Sequence, residues 1–298
     1  MGYREVMTLL SRSRRPRCPS VLLGLVLLLP LACVAVDEEE GKPRRIPMGH
    51  SGSFTSWWSD TRVREVGEYT DGQRNGEVTA YHPDGSLAEE GEFVMGMPTG
   101  RHVIYHPGGV VALVETVVDG VVDGQREEYD GGGRPMAVQT FVAGRRHGPQ
   151  RTYHPNGAVA QDGSWADDLP SGLWRSYDEQ GRVTSDEWFW SAAGLPVGYL
   201  ETVYGAEGQI TAQAFKALED EHWVGWRTFW HANGVQAGLV EYRDEVRDGR
   251  DLSWSETGQP RVEGQRRGDL RVGVWRMYDD AGQLVETRNH GDGASAEG

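Results

Sequence analysis

The chain has 298 residues, with 41 Gly, 11 Trp and 11 Tyr but only 2 Cys, and a formal charge of −15. Glycine at about twice its usual share argues against a helix-rich enzyme core, because each Gly costs about 1 kcal/mol in a helix relative to Ala. The aromatics argue against simple disorder, so many tight turns between short strands are expected.

The first element is an export signal. Arg4, Arg12, Arg14, Arg15 and Arg17 precede the apolar run Val21 to Leu29, followed by Pro30-Leu31-Ala32-Cys33. A basic stretch, a short apolar core and small residues predict a secretory signal peptide over 1–32. The run is shorter than the roughly 20 apolar residues of a membrane-spanning helix, although extension to Val36 would allow an uncleaved anchor. Leu31-Ala32-Cys33 resembles the end of a bacterial lipobox, with Pro30 where that family usually has Leu. The resemblance implies lipid on Cys33 and attachment to the membrane; cleavage after Ala35 is the ordinary alternative. Cleavage before Cys33 would leave no second cysteine to pair with it, and lipid attachment accounts for that thiol.

Residues 1–32 carry five Arg and one Glu, so the remainder of the chain carries −19. Such a chain repels nucleic acid, which is not expected as a partner. Residues 33–51, with Asp37-Glu38-Glu39-Glu40, two Pro and two Gly, predict an acidic flexible tether.

From Gly52 onward one pattern repeats: Gly, four residues, an aromatic, three residues, Gly. The aromatic column is Trp57, Tyr81, Tyr105, Tyr129, Tyr153, Tyr177, Tyr204, Trp230, Trp254 and Tyr278. The closing glycines are Gly85, Gly109, Gly133, Gly157, Gly181, Gly208, Gly234, Gly258 and Gly282. Most steps are 24 residues; the first repeat is degenerate, with Thr61 in place of the closing Gly. A fixed period of this length marks a repeat architecture.

Each repeat predicts a β-hairpin. Glu77 to His82 forms one strand, Pro83-Asp84-Gly85 a turn with Gly at positive φ, and Ser86 to Val94 the return strand; Gly96 to Gly100 leads into the next repeat. In the return strand Leu87, Val111, Val159, Val183, Ile210 and Leu284 share a column. Gly91, Gly163 and Gly264 share another, and Phe93, Val117, Phe141, Trp165 and Phe189 follow two residues after it, on the same face. The fold class is therefore all-β, an elongated array of about ten 24-residue hairpins in an open, twisted antiparallel sheet over 52–291, with 292–298 a disordered tail. At roughly 10 Å per hairpin the array would extend about 95 Å. The aromatic column would line one face, as a structural ladder or as an exposed stripe for a partner or glycan.

Gly172 to Val183 (GLWRSYDEQGRV) and Gly273 to Glu286 (GVWRMYDDAGQLVE) resemble the bacterial variant of the MORN repeat, with Trp174, Trp275 and the Tyr column in register with its pattern. The resemblance covers about Gly52 to Gly291. It implies a repeat scaffold, and for some bacterial relatives a YwqK-type antitoxin. Glu115, Gln139 and Glu187 stand where Gly is common, and the seventh and eighth repeats are longer, so strict register is not expected near Gly194 to Gly225.

His82, His106, His154 and His231 follow the aromatic in their repeats. Lying about 10 Å apart, they cannot converge on one ion, and turn positioning is expected rather than a metal site. Acidic pairs such as Glu89-Glu90 and Asp186-Glu187 predict a solvated surface rather than a glycosidase pair. Asp-Gly turns such as Asp119-Gly120 offer weak Ca²⁺ sites at most. No phosphate loop, nucleophile elbow, HExxH or CxxC occurs, and no cofactor is expected. The function expected is a non-catalytic repeat scaffold at a bacterial cell envelope, binding a protein or surface polymer. An antitoxin or immunity protein is the alternative, and a glycan-active enzyme comes third.

Overall fold

The computed structural model describes residues 45–292 apart from 193, 194 and 220. The signal segment, Cys33, most of the tether and the tail from 293 lie outside the described residues.

The described residues form one sheet of twenty strands. The first ten are β1 Gly52–Ser59, β2 Arg62–Thr70, β3 Gln73–Tyr81, β4 Leu87–Val94, β5 Met97–Tyr105, β6 Val111–Val118, β7 Val121–Tyr129, β8 Pro135–Val142, β9 Arg145–Tyr153 and β10 Val159–Ala166. Then come β11 Leu169–Tyr177, β12 Val183–Ala192, β13 Leu195–Tyr204, β14 Ile210–Glu219, β15 His222–Trp230, β16 Gln236–Arg243, β17 Val246–Trp254, β18 Pro260–Arg267, β19 Leu270–Tyr278 and β20 Leu284–Asn289. Each pairs antiparallel with its sequence neighbour, as β1 does with β2 and β19 with β20, so the sheet is an open meander.

Two kinds of turn alternate. After each odd strand from β3 on, a three-residue loop closes around a left-handed glycine. His82 N–H donates to Ser86 O at 2.8 Å, Gly85 N–H to His82 O at 2.9 Å, and Gly85 has φ 91°. All nine closing glycines take positive φ, the left-handed position that ends a three-residue hairpin loop. After even strands, wherever both turn residues are described, the turn has two residues, both with positive φ: Met95 and Gly96 have φ 48° and 83°, Asp119 and Gly120 have 50° and 80°. These are the values that primed hairpin turns demand.

This corrects one expectation. The connection between repeats is not Gly96 to Gly100. It is Met95-Gly96 alone, and β5 has begun at Met97. Gly100 instead sits inside β5 with φ 69°, at a bulge: Glu90 pairs with Val103 and Glu92 with Thr99, so one residue of β4 faces three of β5. Gly76, Gly124, Gly148, Gly172, Gly249 and Gly273 share the positive φ, which favours glycine over residues with a Cβ. The longer repeats break this rule. Gly198 and Gly225 are not among the positive-φ glycines, β14 and β15 pair without a register shift, and β12 to β14 lengthen to 10 residues.

A single layer must build its core from its own side chains. The bulge supplies space for this by pairing a large residue with a bare backbone. A Cβ on Gly91 would lie 3.0 Å from the His102 ring, and one on Gly67 would lie 2.7 Å from Val78. Trp174 covers Gly163, and Trp275 covers Gly264. Trp275 is only 1% exposed. Phe93 and Val117 are also buried, flanking this row as the alternation of the strand requires.

Candidate interaction surface

The two faces of the sheet carry different chemistry. On one face a chain of opposite charges crosses β2 to β7. Arg74 bonds Glu65 at 2.8 Å and Glu89 at 2.9 Å. His102 takes Glu89 at 2.9 Å and Glu115 at 3.2 Å, and Arg126 lies 3.5 Å from Glu115 and 3.0 Å from Glu128. Glu65, His102 and Glu115 are buried. Burial pulls the His102 imidazole down, but the carboxylates of Glu115 and Glu89 outweigh it and lift the group to about 9. Burial likewise pushes Glu89 up, and His102 with Arg74 brings it below the ordinary carboxylate range.

Glu115 and Gln139 are therefore not defects in the glycine column. Where the column has Gly, a bulky partner sits over it; where it has a polar residue, the partner is polar. Glu115 faces Arg126, and Gln139 donates to Gln150 at 2.5 Å. Glu187 departs from that compensation. It lies directly opposite Glu201, and burial together with the Glu201 charge raises it to about 7.

The opposite face carries the aromatic column. Its tyrosines are half-buried, and several anchor their hydroxyls on acids of the adjoining strand. Tyr105 donates to Glu90 at 2.5 Å and Tyr278 to Glu263 at 2.8 Å; Tyr177 reaches Asp162 and Tyr204 reaches Asp186 at 3.3 Å. Burial and the Glu90 carboxylate both push the Tyr105 hydroxyl up. In β6 the position that Glu90 holds in β4 is filled by Val114, and Tyr129 of β7 turns to Glu127 instead. Asp186 also accepts a two-pronged bond from Arg175, at 2.6 and 2.8 Å. Acidic pairs such as Glu89-Glu90 thus divide between the faces, Glu89 on the charge chain and Glu90 under a tyrosine.

The histidine column links successive hairpins. The Nε2 atoms of His82, His106, His154 and His231 each lie 2.9 Å from the backbone oxygen of the next column aromatic, respectively Tyr105, Tyr129, Tyr177 and Trp254. Trp58 does the same to Tyr81 O at 2.8 Å. Where the position holds Asp, as at Asp130 and Asp178, the carboxylate caps its own turn, accepting from the backbone N–H of Arg134 and Arg182.

Among the described residues, the stacked aromatic pairs lie in the irregular repeats, whereas the edge-to-face pairs lie elsewhere. Trp190 stacks on Phe215 with centroids 5.8 Å apart, and Phe215 on Trp226 at 6.0 Å. A small cup beside them is walled by Tyr199, Trp223 and Tyr242, with Lys216 paired to Glu245 at its rim.

A further surface lies along the two-residue turns. Val94, Met95, Met97, Val118, Val121 and Val142 are all exposed, and they come from the turn ends of three successive repeats. They form a continuous row. A Cβ on Gly120 would lie 3.4 Å from Met97, and one on Gly144 would lie 2.9 Å from Val121. The equivalent positions hold Thr70 and Gln73 in the preceding repeat. Sequence reasoning missed this row because it placed Met97 inside a loop; valine and methionine recurring at the 24-residue period were the available signal.

The MORN repeat variant family model matches residues 74–95 and 146–167. No curated protein matches the chain. Among solved structures, the crystal structure of TcdB2-TccC3-TEV matches at 10% identity over 80% of this chain and 15% of that one, with a TM-score of 0.19. That of TcdB2-TccC3-Cdc42 matches at 11% identity over 79% of this chain and 18% of that one, with a TM-score of 0.18. The chain thus spans less than a fifth of the length of these two structures.

Proposed function

We propose that this chain is a non-catalytic repeat scaffold, exported and lipid-anchored through Cys33 at a bacterial cell envelope, that holds a partner protein against its turn edge. The observation that carries this reading is the apolar row from Val94 to Val142. Exposed apolar side chains that join across successive repeats into one row are a feature of surfaces that another protein covers. The acidic tether would set the scaffold off from the membrane, and the hairpin array would hold the row in a fixed line.

The test has two arms. Radiolabelled palmitate should enter the chain and be lost in Cys33→Ser; a chain recovered unprocessed in the cytoplasm would refute the anchor. In-cell crosslinking should join a discrete protein to the chain and lose it in Met97→Asp/Val121→Asp, while a surface polymer as partner would leave that protein band absent.

A second reading, an antitoxin or immunity protein, is supported by the −19 carried beyond residue 32, which suits a basic toxin. Cells lacking the chain would then become sensitive to a neighbouring or secreted basic protein.

A further inference from the structure

We propose that the two outer strands of the sheet, β20 and β1, pair with each other between copies of the chain and join chains head to tail.

Among the described residues β1 pairs with β2 alone and β20 with β19 alone. Every odd strand runs one way and every even strand the other, so β20 of one copy meets β1 of the next antiparallel, in the same sense as β18 meets β19. The register is set by the repeat. At an inner junction Glu65 faces Ala80, Val66 faces Thr79 and Gly67 faces Val78, and at the last one Val262 faces Met277 and Glu263 faces Arg276. Carried on by one repeat, these pairings place Glu286 opposite Ser56 of the second copy, Thr287 opposite Thr55, and Arg288 opposite Phe54. A guanidinium over a phenyl ring already occurs within the sheet, where Arg74 sits 4.8 Å above Phe93.

Both edges are shaped for this contact. Gly52 holds φ 110°, close to the 124° of Gly76 and the 127° of Gly124, although among the described residues no strand lies against its outer side; a Cβ there would meet nothing within 4 Å. The outermost strand β1 thus keeps the bulge glycine by which inner odd strands receive an even strand. At the other end, Leu284 is 54% exposed and Val285 63%, whereas the aliphatic residues at the Leu284 position inside the array, Leu87, Val111, Val159, Val183 and Ile210, are all partly buried; Pro135, at the same position of β8, is exposed. Among the described residues, what those aliphatic members have, and Leu284 lacks, is a following hairpin.

Only a second copy repeats the 24-residue register on both sides of the junction. The contact is heterologous, so it extends into open chains rather than closing a dimer. The six residues of β20 and its charged Glu286 and Arg288 keep it weak and concentration-dependent. Copies of net charge −15 repel, so association strengthens as salt screens them.

The test uses the full chain with Cys18→Ser and Cys33→Ser. With Thr55→Cys and Thr287→Cys, a short thiol-reactive crosslinker should give a ladder of multimers. The pair Thr55→Cys and Glu286→Cys, whose side chains leave opposite faces, should not. In sedimentation the chain with native edges should gain average mass with concentration and with salt, and Thr55→Asp/Thr287→Asp should stay monomeric. Equal ladders from both cysteine pairs, or a monomer at every concentration and salt, would overturn the proposal.

Discussion

The indole of Trp174 lies on the bare backbone of Gly163 in the strand beside it. This contact is the unit of packing in a sheet to which the described residues add no second layer. Gly163 has an ordinary backbone conformation, so its role is steric alone. Gly163→Ala should therefore cost about 1–3 kcal/mol through overpacking. Hydrogen exchange should show the loss around β10 and β11 first, since repeat arrays open locally. Gly131→Ala, at a position with negative φ and nothing within 4 Å, should leave stability unchanged.

Stability should fall on the alkaline side because of His102. Its folded value of about 9 lies above the ordinary 6.5, so its contribution is fully present below about pH 6.5 and is lost as pH rises through 9. The loss is at most about 3 kcal/mol. Chemical denaturation at pH 6 and pH 9.5 measures it, and His102→Gln should remove most of the difference. A wild-type chain equally stable at both values would contradict the charge chain.

Glu187 also lowers stability as pH rises, but over a more acidic range, and as a buried charge penalty rather than a lost ion pair. Its carboxyl is raised to about 7, so the folded state is progressively disfavoured as pH rises from about 4.5 to 7, and the penalty is constant above that. Because the group is partly exposed, about 1–2 kcal/mol is expected after screening. Glu187→Gln, the residue type found at Gln139, should stabilise the chain at pH 8 and flatten its dependence between pH 5 and 7.

The histidine position tolerates two solutions, and substitution should reveal both. His82→Ala removes the bond to Tyr105 O and should cost about 1 kcal/mol. His82→Asp should recover much of that by capping its own turn, as Asp130 does. Thermal melts of the two variants decide the matter; equal losses would show that capping does not substitute for the bond between hairpins.

Much of the fold was legible because turns need particular residues. The closing glycines and the Pro-Asp or Pro-Asn before them state the hairpin period directly. Gly100 was misassigned for the same reason: a glycine signals positive φ, but not whether that φ serves a turn or a bulge. The charge chain was hidden, because Glu65, Arg74, Glu89 and His102 meet only once the cross-strand register is known. His102 stands in the column of Trp174 and Trp275, two residues after the repeat glycine, but that column does not announce its carboxylate neighbours. The apolar turn row was obscured by the same boundary error, since Met97 belongs to β5 only when Met95-Gly96 is recognised as the whole turn.

The most direct measurement is site-specific photocrosslinking in living cells from the turn row. A photoreactive side chain at Met97 or Val121 should capture one discrete protein, and the capture should vanish when Val118 and Val142 are changed to Asp. The same probe at Gly131, on the opposite edge of the sheet, should capture nothing. No adduct from either turn-row position, or equal adducts from Gly131, would contradict a scaffold that holds its partner along this edge.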